Sequence, residues 1–455
     1  LKTTSNFTTP CLKIYKHLLV SLLFSLIFFS AYSQCPTPLF SSPASVCLSE
    51  KISFQNNSIN STSYYWDFCS NDLETSPVAT SLFAPANTIV QPLGYKTIFS
   101  QGKWYGFITS SSNHLVRADF GADLTNNSPL YTDLGNVGGI LAQVEDIDLL
   151  EVNGNWYAVI AQNNFSGAVL IDFGSNIENP APTSTLLGSF FTGAKIRGVS
   201  LAYDGSRILM VLCSASNFIE VVNFGNSFYN TLSASDIMAV SISGSSPIFS
   251  VDILHTCNSW YVYASTLSSG GLIHRVQFGT DLFTTPVGII TYTIPAVQNP
   301  IGINILTEGA KTYLAVSNSG TPYVLVDFGD IAANDSPGIV ASANTTGTIF
   351  TKVNGFAYQG KFIFLGVDFA SPVITSLTFA NACGQSTEYS TLATPAIISY
   401  ATSGATPVLL SSSDGEITNQ VTNSIAVSAL VAPTIDFTTA NVCVNKNVNF
   451  TPQGS

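Results

Sequence analysis

Charge is scarce in this sequence. Asp, Glu, Lys and Arg make up 9% of 455 residues, and the 15 basic residues are outnumbered by 27 acidic ones, for a net charge of −12. A nucleic-acid partner needs a basic stripe, and none exists. An anionic membrane surface is disfavoured for the same reason. The acidic balance instead suits a soluble extracellular chain. Reactive residues are equally thin. The histidines are His17, His114, His255 and His274, and nothing reads H-E-x-x-H or G-x-S-x-G. No C-x-x-C pair occurs, which argues against a zinc ribbon. His255 and Cys257 would supply two zinc ligands, but a third is missing, so they read as ordinary strand and turn residues.

Long apolar runs are confined to the N-terminus. Lys13 and Lys16 precede an apolar run, Leu18 to Phe29, followed by small residues at Ala31 and Ser33. That order reads as a signal peptide over residues 1–33, cleaved after Ser33. The mature chain is then expected to carry no membrane span. Seven cysteines remain: Cys35, Cys47, Cys69, Cys213, Cys257, Cys383 and Cys443. An exported chain permits disulfides, and the odd count leaves one thiol without a partner. Short β-branched and aromatic runs separated by Gly, Asn, Ser and Pro give an all-β reading.

What the sequence does have is a repeat. Phe-Gly pairs end apolar runs at Phe120, Phe173, Phe224, Phe278 and Phe328, and Phe379-Ala380 follows, at steps of 53, 51, 54, 50 and 51 residues. Upstream, Trp104, Trp156, Ile208, Trp260, Thr312 and Phe362 form a second column at steps of 52, 52, 52, 52 and 50. Each unit reads as strand, tight turn, aromatic strand, turn, a strand ending in Phe-Gly, then a short fourth strand. Asn153-Gly154 and Asp204-Gly205 mark the first turn. Four antiparallel strands in about 50 residues is the size of one propeller blade. The expectation is a six-bladed β-propeller over residues 81–382, with the Trp and Phe columns packing blade on blade. A seventh blade, or a closing strand drawn from residues 46–68, stays open.

A third column is polar: Thr97, Asp148, Ser200, Asp252, Asn304 and Asn354, with apolar neighbours on both sides of Asp148, Ser200, Asp252 and Asn304. First strands of blades line the central channel. Oxygens of Asp148, Asp252, Asn304 and Asn354 converging there would suit Ca2+. They would equally bond neighbouring backbone and channel water, and that reading is preferred. Glu145-Asp146 reads as a solvated turn.

The flanks carry a different repeat. Pro36-Thr37, Phe40, Val46-Cys47 and Phe54 match Pro433-Thr434, Phe437, Val442-Cys443 and Phe450. With Tyr64-Tyr65-Trp66-Asp67-Phe68 downstream of the first copy, the pattern resembles the first half of a PKD domain, an Ig-like β-sandwich. Residues 394–427 resemble its second half. Cys69 departs from the family's Gly after W-D-F, and Ala405-Thr406-Pro407 stand where a Tyr is usual. The resemblance implies half a sandwich at 34–80, the other half at 383–431, and the propeller inserted between them. Residues 432–455 would begin a second such domain, broken off inside it. Cys69 and Cys383 would stand where the ring leaves and rejoins the sandwich, and are expected to pair across that neck.

The repeat units also resemble propellers in secreted proteins of Bacteroidota, many exported by the type IX system, which implies a cell-surface or extracellular location. A six-bladed ring invites comparison with sialidases, but their Asp-box, S-x-D-x-G-x-T-W, is absent. The four arginines, Arg117, Arg197, Arg207 and Arg275, form no evident cluster for a carboxylate. The expectation is therefore a non-enzymatic binding or adhesion protein. Its partner would be a polysaccharide or a cell-surface or matrix protein, and no cofactor is assigned beyond the Ca2+ candidate. The alternatives are a glycan lyase or hydrolase working on a propeller face, and a structural spacer in a surface fibre.

Overall fold

The computed structural model describes residues 35–83, 88–164, 167–188, 190, 195–242, 247–268, 270–319, 321–330, 337–342, 351–429, 435–439 and 450–454. The expected signal peptide lies outside the described residues, as does most of the second flanking copy. No helix among the described residues is long and apolar enough to cross a membrane.

Six four-stranded antiparallel sheets follow one another along the chain. Their first strands are Pro92–Ser100, Val144–Val152, Ile196–Tyr203, Ile248–His255, Pro300–Glu308 and Lys352–Ala357. These begin at residues 92, 144, 196, 248, 300 and 352, a constant step of 52. Each first strand packs on the next, and Lys352–Ala357 packs back on Pro92–Ser100, closing a β-propeller. The sixth sheet takes its outer strand from upstream: Val78–Phe83 pairs antiparallel with Ser371–Phe379. The closing strand is thus Val78–Phe83. Residues 46–68 do not supply it, and the ring starts slightly before residue 81.

The Phe-Gly repeat has a local cause. Gly121, Gly174, Gly225 and Gly329 sit at φ between +62° and +71°, where a side chain is strained. Their N–H groups donate to Oδ1 of Asp119, Asp172, Asn223 and Asp327 at 2.6–2.9 Å. The Asp/Asn-Phe-Gly triplet is therefore a side-chain-to-backbone turn that ends the third strand. The phenylalanines at this position, Phe120, Phe173, Phe224, Phe278, Phe328 and Phe379, each enter a different inter-blade core. Trp156 and Trp260 share these cores, and Trp104 meets Tyr358 edge-on at 5.7 Å.

A separate five-stranded sheet orders Ser45–Cys47, Thr418–Ser428, Gly404–Ser413, Ser63–Asp67 and Tyr389–Ser390. Beside it, Phe40–Ser41 pairs with Gln55–Asn56. One core joins Phe40, Phe54 and Trp66 from before the ring to Tyr400, Leu410 and Ile425 from after it. The chain between these two halves is the propeller.

Candidate functional site

The polar column lines the channel, but the oxygens are engaged. Asp148 Oδ2 accepts from Leu201 N at 2.7 Å, and Asp252 Oδ2 from Ile305 N at 2.8 Å. Asn304 Oδ1 accepts from Gly355 N at 2.8 Å, and Asn354 Oδ1 from Thr97 N at 3.0 Å. Each side chain ties its own first strand to the first strand of the next blade. The strand register sets Lys96 opposite Phe107 as it sets Asp148 opposite Val159. The first-blade member of the column is therefore Lys96, not Thr97. Its Nζ lies 2.7 Å from Asp148 Oδ1.

One layer away, Lys352 Nζ lies 2.8 Å from Asp146 Oδ2 and 3.0 Å from Ser250 Oγ. The cations among these carboxylates are thus ammonium groups of the chain itself. The oxygens proposed for Ca2+ serve backbone and lysine partners instead. Burial pulls Lys96 down, but Asp148 and Asp252 outweigh it and hold it above its ordinary range. Burial pushes Asp146 and Asp252 up, against the pull of Lys352 and Lys96 respectively. The remaining channel cavity is about 30 Å3, the room of one or two waters rather than a sugar.

Glu145-Asp146 is no solvated turn. A bulge at the start of the strand, where the register slips between Val144 and Asp146, turns Asp146 into the channel beside Lys352. Glu145 meets Arg197 at 2.6 Å. The other arginines are separate: Arg117 donates to Ile177 O at 2.9 Å, Arg207 pairs with Asp204 and Asp281, and Arg275 lies over Tyr261 and Tyr292.

Cys69 and Cys383 form a disulfide at the neck, with Cα atoms 5.8 Å apart. Cys35 and Cys257 form a second. Cys257 is therefore spent as a zinc ligand, and His255 stacks on Trp260 with centroids 3.6 Å apart. Burial brings His255 down to about 4, so it is neutral at pH 7. Cys213 is a buried free thiol and Cys47 an exposed one.

A larger cavity opens where the ring meets the sandwich. It measures about 540 Å3, and its walls include His255, Tyr261, Lys311, Asp330, Glu416 and Gln420. Gly309, at φ +64°, brings the fifth blade's first turn against the sandwich strand, where a Cβ would strike Thr422. Its N–H donates to Gln420 Oε1 at 2.7 Å. The Cys35–Cys257 bond pins the fourth blade's turn to the same border. This cleft draws on segments far apart in the chain, and no local pattern announces it.

No family model matches the chain, and no curated protein matches it. Solved structures do. The catalytic domain of a GH62 α-L-arabinofuranosidase from Coprinopsis cinerea is similar at 12% identity and a TM-score of 0.39, covering 69% of this chain and 97% of that one. The α-L-arabinofuranosidase PaAbf62A from Podospora anserina, solved with cellotriose, is similar at 13% identity and a TM-score of 0.41, covering 69% and 100%. A DUF4623 family protein from Bacteroides eggerthii is similar at 9% identity and a TM-score of 0.41, covering 77% and 84%. The expectation of a non-enzymatic binding or adhesion protein is corrected accordingly. It set catalysis aside because the Asp-box and an arginine cluster are missing. Those absences bear on sialidases and do not exclude other hydrolases, because a fold does not fix the chemistry grafted on it.

Proposed function

We propose that this chain is an exported glycan-degrading hydrolase, a six-bladed propeller inserted into a PKD-like sandwich, with its saccharide in the cleft between the two. The observation that carries this reading is the cleft itself. Its volume of about 540 Å3 is in the range of small-ligand sites, and it has one carboxylate from each wall. Asp330 comes from the fifth blade and Glu416 from the sandwich. Glycoside hydrolysis asks for such a pair: one carboxylic acid protonates the leaving oxygen, and the other carboxylate activates water or attacks the anomeric carbon. Tyr261 and the neutral His255 add an aromatic wall and an uncharged hydrogen-bonding group. The two disulfides support export to an oxidising compartment, in keeping with the leader-like N-terminus. A surface location and a polysaccharide partner belong to the same reading.

The test is reducing-sugar release from a polysaccharide panel that includes arabinoxylan, pectin and β-glucan. Release by the wild-type chain is expected, with a loss of at least about 100-fold in Glu416→Gln and Asp330→Asn at unchanged thermal midpoint. Absence of release from every member, or equal release by both variants, overturns the proposal.

A further inference from the structure

Three carboxylates meet at the neck. Asp67 ends the sandwich strand Ser63–Asp67, Asp72 opens the short turn Asp72–Glu74, and Glu308 ends the first strand of the fifth blade. All three are buried, at 3%, 0% and 4% exposure. One oxygen from each lies within 4.8 Å of the other two. Backbone N–H groups donate to all three, and the Asp67 and Asp72 carboxyls also share a hydrogen bond. Cys69 N donates to Asp67 at 2.9 Å, and Asn381 N to Asp72 Oδ1 at 2.6 Å. Asp72 N and Leu73 N donate to Glu308 at 2.8 and 3.2 Å. Among the described residues none of the three has a lysine or arginine partner; the nearby Lys311 is paired with Glu74 and Asp327. A second feature points to a missing partner. Asp72 Oδ2 is fully buried with no hydrogen bond, and so is Ser70 Oγ in the same neck segment.

We propose that Asp67, Asp72 and Glu308 bind a hard divalent cation of the Ca2+ class. Three unpaired ionised carboxylates cannot share a buried site without a counter-charge. The channel meets the same demand with Lys96 and Lys352, and the neck has no equivalent. An oxygen-only donor set selects Ca2+ or a similar ion over zinc, and the adjacent sulfurs of Cys69 and Cys383 are held in a disulfide. The three ligands come from the sandwich, the connecting turn and the ring, so the ion clamps the ring to its support.

Protons are the competing counter-charge. Without a cation, burial lifts Asp67 to about 6, Asp72 to about 9 and Glu308 to about 7. The groups facing them deepen this: Glu388 opposes ionisation of Asp67, and Asp67 opposes that of both Asp72 and Glu308. Because carboxylate ligands must be deprotonated to hold a cation, binding at this cluster releases protons and weakens on acidification.

The experiment uses the whole chain, freed of metal and without saccharide, so that it is independent of the glycan reading. Ca2+ is titrated calorimetrically at pH 6 and pH 8, with Tb3+ luminescence as a second probe. One ion per chain, at least tenfold tighter binding at pH 8, and at least tenfold weaker binding in Asp72→Asn and Glu308→Gln are expected. If one variant does not fold, the other and the wild-type pH comparison still decide. No binding at millimolar Ca2+ at pH 8, or binding unchanged in the folded variants, overturns the proposal and leaves the cluster proton-sharing.

Discussion

Replacing Lys352 by methionine isolates what the channel ion pairs do. Lys352 and Asp146 side chains are 7% and 6% exposed, so neither charge has water to fall back on. In Lys352→Met, Asp146 keeps the N–H of Ile147 at 3.0 Å and a long contact from Val199 N at 3.4 Å. The carboxylate must then stay buried and charged, or take a proton. Taking a proton at pH 7 against an ordinary value of 3.8 costs about 4.4 kcal/mol, which caps the loss by that route. Breaking a buried pair from one side typically costs about 3–5 kcal/mol. The expected loss is therefore about 3–4 kcal/mol at pH 7. The cap shrinks by about 1.4 kcal/mol per pH unit, to about 1.6 kcal/mol at pH 5. The sign follows from linkage. The variant raises the folded pKa of Asp146, so the folded state binds the extra proton, and stability falls as pH climbs from 3.8 through that raised value. Urea unfolding followed by tryptophan fluorescence at pH 5, 6 and 7 measures it. The double variant Lys352→Met/Asp146→Leu should return to within about 1 kcal/mol of wild type, since burial already opposes the charged form of Asp146. A single-variant loss under about 1 kcal/mol at pH 7, or one that ignores pH, refutes the reasoning.

Phe173→Ala should cost about 3–5 kcal/mol, because its ring fills the core between the first two blades and meets Phe107 edge-on at 5.3 Å. Phe224→Ala should cost a similar amount from the equivalent position, and equilibrium unfolding of both variants checks that the column is one structural feature repeated. His255 and His274 should make an acid-destabilising contribution between about pH 6.5 and 4, because burial depresses both to about 4 and each therefore binds less proton in the folded state than in the unfolded one. Thermal midpoints of a His255→Phe/His274→Phe variant should fall less steeply across that window than those of wild type.

The ring was legible because its columns repeat a local cause. The Asp/Asn-Phe-Gly turn needs a short polar side chain, an apolar ring and a glycine in register; four of the six blades carry all three, and every blade carries the Phe. The polar column was legible as a column but not as a device. Period-2 alternation marks Asp148 and Asp252 as channel-facing, yet it cannot tell that each oxygen reaches the next blade's backbone. It also set the first member one residue late, at Thr97, although Lys96 stands at the regular step of 52 before Asp148. Asp146 was misplaced because of the bulge at the start of its strand. A bulge leaves no mark in composition, so an adjacent acidic pair reads as a turn when one member is in fact aimed inward. The cleft and the acidic neck were invisible. Asp67, Asp72 and Glu308 are ordinary residues of three unrelated segments, and only the packing of ring on sandwich brings them together.

That packing explains why a ring of some 300 residues can stand inside another domain. The insert's ends must meet, and here three independent contacts hold them. The strand Val78–Phe83 closes the ring from the entry side by pairing with Ser371–Phe379 on the exit side. The Cys69–Cys383 bond joins the same two chain segments just outside it. Between them, Asn381 N donates to Asp72, and Asn381 Nδ2 donates to Ser70 O at 2.9 Å. Blade closure, covalent neck and sandwich core therefore depend on the same juxtaposition. The host and the insert are thus coupled mechanically at the point where the three carboxylates lie, so a counter-charge bound there acts on both.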